Sequence, residues 1–201
     1  FMKFPEKKYD KISYIAPSWE EMGALCFNLA KQILDRGKKY DRVVALAKGG
    51  WTWARTLVDY LQIEDIASMQ IKFYSGVWQS AGKPKILQSL SSDVKGEKIL
   101  LFDDVTDFGK TLPVAIKHIL KNGAKSVDSA TLFYKPHSTF KPEYFSYTTT
   151  AWVVFPHEVR EIVIQAGKKW MDNGVKKPDV IKRFTDLGLP KDQIVYFLNL
   201  L

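Results

Sequence analysis

Asp103 and Asp104 stand side by side at the end of the apolar run Ile99-Leu-Leu-Phe102, and a third carboxylate follows at Asp107, before Phe108-Gly109-Lys110-Thr111. Neighbouring carboxylates repel, so their surroundings must need them. Gly109 offers a tight turn, Lys110 a cation and Thr111 a hydroxyl. A helix starting there would present free backbone N–H groups and the positive end of its dipole, which suit a phosphate. Two familiar phosphate motifs are excluded. The P-loop needs glycine where this chain has Asp104, an acid that would repel phosphate, and no G-x-G-x-x-G follows a strand.

Such a turn needs a strand before it and a helix after it. The apolar pattern predicts a strand over 98–102 and a helix over 110–122, stopped by Gly123. A β-branched run over 42–47, bounded by Lys48-Gly49-Gly50, predicts a buried strand, followed by a helix over 51–61. Further strands are predicted over 68–74, 127–134 and 148–155. Ser18-Trp19-Glu20-Glu21 is a capping box, opening a helix whose apolar positions Met22, Leu25, Cys26, Leu29, Ile33 and Leu34 recur until Gly37. The stretch 75–96, rich in glycine, proline and serine, has no firm period, and 75–90 is expected to be a mobile lid. Beyond Glu158 the pattern is helical in two or three pieces, divided by Gly174, Pro178 and Pro190. Strands alternating with helices argue for an α/β fold with a central, mainly parallel sheet flanked by helices. The expected division is a core over 1–160 and a helical C-terminal extension over 161–201, whose apolar residues argue for packing.

The 201 residues, 46% apolar and 26% charged, suit a soluble chain with one well-buried core. The net charge of +8 comes from scattered lysines, without a basic tract or a zinc-finger spacing, so a solvated surface explains most of it. Neither a nucleic-acid nor a membrane partner is expected. No apolar run approaches a membrane span, and Phe1-Met2-Lys3-Phe4-Pro5 lacks a signal-peptide core, which makes a cytoplasmic location the expectation. Met2 reads as the initiator, with Phe1 an added residue. A single cysteine, Cys26, excludes an internal disulfide and a cysteine metal cluster.

The segment from Ile99 to Thr111 resembles the signature of the type I phosphoribosyltransferases, with apolar lead-in, paired acids and phosphate loop in register. The resemblance implies that family's fold, with a small hood. It also implies that Asp103 and Asp104 hold the ribose hydroxyls of phosphoribosyl pyrophosphate (PRPP), while Thr106, Asp107, Phe108, Gly109, Lys110 and Thr111 wrap its 5-phosphate. A carboxylate accepts from a diol, and amides and hydroxyls satisfy a phosphate. Phe108 departs from the pattern, which has threonine there, so one hydroxyl contact is lost. Ala47-Lys48-Gly49-Gly50 takes the place of the pyrophosphate loop, where a non-proline cis peptide would fall at Ala47–Lys48. The lid would exclude water from an activated sugar.

Two further segments resemble the family's subgroup acting on 6-oxopurines, and the whole resemblance runs from Tyr14 to Arg160. Leu132-Phe133-Tyr134-Lys135 ends in a lysine that in the subgroup donates to the 6-oxygen of the base, a preference a donor-only group enforces. Trp152-Val-Val-Phe-Pro-His-Glu158 matches the segment that stacks an aromatic on the purine, contacts it through the next residue, and supplies an acidic metal ligand. Trp152, Val153 and Glu158 take those places, and His157 replaces a common aromatic. The resemblance thus implies a purine salvage enzyme that joins hypoxanthine, guanine or xanthine to PRPP at N9, giving the nucleoside 5-monophosphate and pyrophosphate. Mg2+ would be its cofactor, held by Glu158, with Asp103 and Asp104 reaching it through water. Lys48, Gly49 and Gly50 would bind the pyrophosphate, and Asp107 would be the general base. A homo-oligomer, dimer or tetramer, is expected. Two alternatives stay open: a PRPP-binding regulator, and a transferase of the same fold for adenine or orotate.

Overall fold

The computed structural model describes residues 3–73, 84–90 and 92–201. The chain begins with β1 (Lys7–Tyr9), β2 (Ile12–Ile15) and α1 (Trp19–Asp35), followed by β3 (Arg42–Ala47), α2 (Gly49–Leu61) and β4 (Asp65–Phe73). Next come β5 (Pro84–Gln88), β6 (Lys98–Thr106), α3 (Thr111–Lys121), β7 (Ser126–Tyr134) and β8 (Tyr144–Thr148). The last elements are β9 (Trp152–Val153), α4 (Val159–Asp172), α5 (Lys177–Asp186) and α6 (Lys191–Leu198). They form two compact units: Gly23–Thr149, and Phe1–Met22 together with Thr150–Leu201. The units therefore divide the chain elsewhere than at residue 160, because the tail packs with the N-terminal strands.

In the larger unit six strands run in the order β5-β4-β3-β6-β7-β8, all parallel to their neighbours except β5, which is antiparallel to β4. This is the expected α/β sheet. The central strands read as unbroken apolar runs because both their faces are covered. Val43, Val44, Ala45 and Ile99 to Phe102 are all fully buried. Leu112, Ala115 and Ile119 of α3 pack on one face with Val44, Met69 and Leu101. Burying each large aliphatic side chain contributes about 1.5–3 kcal/mol.

Several elements differ from the sequence expectation. β6 runs on to Thr106 rather than stopping at 102, because its ladder with β7 continues through Asp103↔Thr131, Val105↔Phe133 and Thr106↔Tyr134. The segment predicted as a single strand over 148–155 is split. β8 joins the large sheet earlier, at 144–148, and β9 pairs with β2 in another sheet. β5 lies within the stretch expected to be a lid, and residues 75–83 of that stretch lie outside the described residues.

In the smaller unit β1 and β2 form an antiparallel hairpin and β2 runs parallel to β9. Tyr14, Val163, Trp170, Val180, Phe184 and Ile194 share a core there. Trp170 lies 4.8 Å from Phe184, and the Arg183 guanidinium sits over the rings of Tyr9 and Trp170 at 5.1 and 5.0 Å. At α1 the capping box forms as expected, with Glu21 N donating to Ser18 Oγ at 3.1 Å and Ser18 N to Glu21 Oε2 at 2.7 Å. Among the described residues, no helix is long and apolar enough to cross a membrane.

Candidate active site

In the larger unit the carboxyl ends of β3, β6 and β7 lie side by side, and each opens into a turn that carries candidate residues. The turn after β3 is tight. The Ala47–Lys48 peptide is cis, and α2 starts at once with Gly49-Gly50. A Cβ on Gly49 would fall 2.7 Å from Cγ of Asp104, and one on Gly50 would fall 2.8 Å from the carbonyl oxygen of Phe102. A Cβ on Gly50 would force the backbone to move and one on Gly49 would displace the buried Asp104 side chain, so glycine is what lets this helix terminus close on the end of β6. Lys48 stays exposed.

The turn after β6 is built differently. Asp103 and Asp104 are still strand residues, so their side chains leave toward opposite faces. Asp104 is buried against Gly49, and Asp103 is half-buried with Oδ1 accepting from the N–H of Asp104 at 3.0 Å. Thr106 is buried, and its hydroxyl has no hydrogen-bond partner among the described residues. Asp107 stays partly exposed and Phe108 is 67% exposed. Gly109 takes φ +73° and leads through exposed Lys110 into α3 at Thr111.

The turn after β7 braces the second one. The Lys135 N–H donates to the Thr106 carbonyl at 3.0 Å, and the Lys135 side chain is buried. Both the N–H and the hydroxyl of Thr139 donate to the Phe108 carbonyl, at 3.3 and 2.9 Å. His137 Nε2 lies 3.0 Å from Asp107 Oδ1, and its ring is 5.8 Å from that of Phe108. Gly109 has no room for a Cβ against Ser138 and Phe140. His137 and Thr139 are absent from the expected site. The signal was the polar run His137-Ser138-Thr139 directly after Lys135-Pro136, which a single sequence does not separate from an ordinary loop.

Electrostatics distinguish the helices that leave the first two turns. α1, α4, α5 and α6 each carry an acidic residue in the first turn, whereas α2 and α3 carry none. Neither dipole end is offset by a first-turn acid of its own helix, although the Asp104 carboxylate lies against Gly49 at the start of α2.

Trp152, Val153 and Glu158 belong to the smaller unit. Alternation along β9 buries Val153 and leaves Trp152 half exposed, so this tryptophan is not a core residue. Glu158 is partly buried just before α4, and its N–H donates to the Phe155 carbonyl at 3.1 Å. His157 stacks on Phe155 at 5.3 Å, and burial pushes its imidazole pKa down.

The phosphoribosyl transferase domain family matches residues 18–161. The hypoxanthine-guanine phosphoribosyltransferase of Lactococcus lactis subsp. lactis is 26% identical over 152 residues, covering 70% of this chain and 78% of that protein. The protein of the same description from Streptococcus agalactiae serotype V is 30% identical over 108 residues, covering 53% of this chain and 60% of that protein. Among solved structures, a purine phosphoribosyltransferase from Pyrococcus horikoshii is 33% identical with a TM-score of 0.64, covering 71% of this chain and 92% of that one.

Proposed function

Because the chain belongs to the phosphoribosyltransferase family, we propose that it transfers the phosphoribosyl group of PRPP to N9 of hypoxanthine, guanine or xanthine. The products are the nucleoside 5-monophosphate and pyrophosphate. One observation carries the choice of base: Lys135 is buried at the end of β7, joined through its backbone to Thr106 at the mouth of the phosphate loop. A donor-only ammonium beside a phosphate turn fits a 6-oxo group and not a 6-amino group.

In this reaction the bond from the anomeric carbon to pyrophosphate breaks with oxocarbenium character, so catalysis is alignment and charge management. The first turn of α3, with Lys110 and Thr111, receives the 5-phosphate, and the first turn of α2, with Lys48, Gly49 and Gly50, receives the pyrophosphate. Asp103 and Asp104 accept from the ribose hydroxyls. Asp107 takes up the proton shift at N7 that makes N9 nucleophilic. On the resemblance alone, Trp152 and Val153 hold the base and Glu158 is a metal ligand. The acidic residues the resemblance assigns to the metal, Glu158 and, through water, Asp103 and Asp104, offer only oxygen donors, the chemistry that suits Mg2+. When bound, the ion neutralises charge on the pyrophosphate. A cytoplasmic homo-oligomer is part of the proposal; a single monomeric mass by light scattering would remove the oligomer.

The test is to incubate the protein with PRPP, Mg2+ and each of hypoxanthine, guanine, xanthine and adenine, following nucleotide formation. Product is expected with 6-oxopurines. Its absence with all three would overturn the proposal, and product with adenine alone would reassign the enzyme.

A further inference from the structure

We infer that His137 is a positioning residue for Asp107, fixing the carboxylate that the proposed reaction uses as its base; this deepens the proposed function and rests on it. The contact is His137 Nε2 to Asp107 Oδ1 at 3.0 Å, across thirty positions of sequence. An ionised carboxylate only accepts, so Nε2 carries the proton and donates it. With Oδ1 engaged, the second oxygen is the one left to face a purine. A general base oriented by a third group is a recurring catalytic arrangement.

The imidazole stands on a loop tied to both neighbours of Asp107. Thr106 is held through its carbonyl by Lys135, and the Phe108 carbonyl is held by Thr139. Within the loop, Ser138 N donates to the Lys135 carbonyl at 2.9 Å and Ser138 Oγ to the Phe140 carbonyl at 2.7 Å. The Phe108 ring leans on the imidazole at 5.8 Å, tilted by 57°. This gives Phe108 a use for its side chain: it walls the imidazole in place of offering a hydroxyl. A purely structural reading is weaker, because the pair is about half exposed, His137 by 48% and Asp107 by 38%, and exposed pairs contribute little to stability.

The test compares kcat, KM for PRPP and thermal melting in the unaltered protein, His137→Ala, His137→Gln, Asp107→Asn and the double variant Asp107→Asn/His137→Ala. His137→Ala is expected to lower kcat by about 10-fold to 100-fold, the cost of a misplaced reacting group, with KM for PRPP and melting unchanged. His137→Gln keeps an N–H donor and is expected to regain most of that loss. With Asp107→Asn already present, His137→Ala is expected to change kcat no further, since the two act as one unit. The inference is overturned if His137→Ala stays within about twofold of the unaltered enzyme, or if the two single losses multiply in the double variant. An unaltered protein inactive with every base would instead overturn the proposed function, and this inference with it.

Discussion

The turns that end β3 and β6 lie side by side and feed the two helices lacking a first-turn acid, yet they are made by opposite means. The turn at 47–50 is shaped mainly by backbone: a cis peptide, two glycines, and no space for a Cβ beside Asp104 or the Phe102 carbonyl, with Lys48 its exposed side chain. The turn at 103–111 is made of side chains, with three carboxylates, a lysine and two threonines, and it is held from outside by the loop 135–140. The first offers N–H groups and the exposed Lys48 side chain, and a Cβ at either glycine would disturb it. In the second, Gly109 is as tightly confined, but Phe108 is 67% exposed, so a ring can stand where the family pattern has threonine. Its carbonyl is anchored and its ring is outside.

The largest expected effect tests the side-chain turn. Asp107→Asn should lower kcat by about 10²-fold to 10⁴-fold, the usual worth of a general base, while calorimetry still shows PRPP binding. Near-normal turnover would take that role from Asp107. Next is Lys135→Gln, expected to reduce kcat/KM for hypoxanthine by roughly 10-fold to 100-fold through one charge-assisted hydrogen bond, with KM for PRPP unaffected. An equal loss for PRPP would mean that the lysine serves the sugar phosphate.

Gly49→Ala tests the backbone turn. Overpacking against Asp104 should cost about 1–3 kcal/mol in urea unfolding and weaken PRPP binding. If this variant is as stable as the parent, the contrast between the two turns collapses. The smallest effect is Phe108→Thr. A regained hydroxyl should lower KM for PRPP by several-fold, about 1 kcal/mol, with stability changed by no more than about 0.5 kcal/mol at so exposed a position. A rise in KM would show that the ring itself helps hold the site.

Much of the fold could be read from the chain because periodicity is local. The helices at 19–35, 49–61 and 111–121 and the strands at 42–47 and 126–134 match their apolar runs within two residues at either end. Misreadings cluster where a distant partner decides. β6 continues past its first carboxylate only because β7 is beside it, and the alternating segment after Pro142 is shared between two sheets. β1 is three mostly exposed residues with little apolar signal, and β2, though it buries Tyr14 and Ile15, is only four residues long.

What the sequence determined by itself is the chemistry on offer. Asp103, Asp104, Asp107, Gly109, Lys110 and Thr111 lie within nine positions on one strand and its turn, where spacing alone places them. Tertiary structure decided how they are arranged. It directed the two adjacent acids to opposite faces, set Gly49 against Asp104, and brought His137 to Asp107. Those relations depend on strand register and on packing between segments thirty or more residues apart, and no local pattern of side chains encodes either.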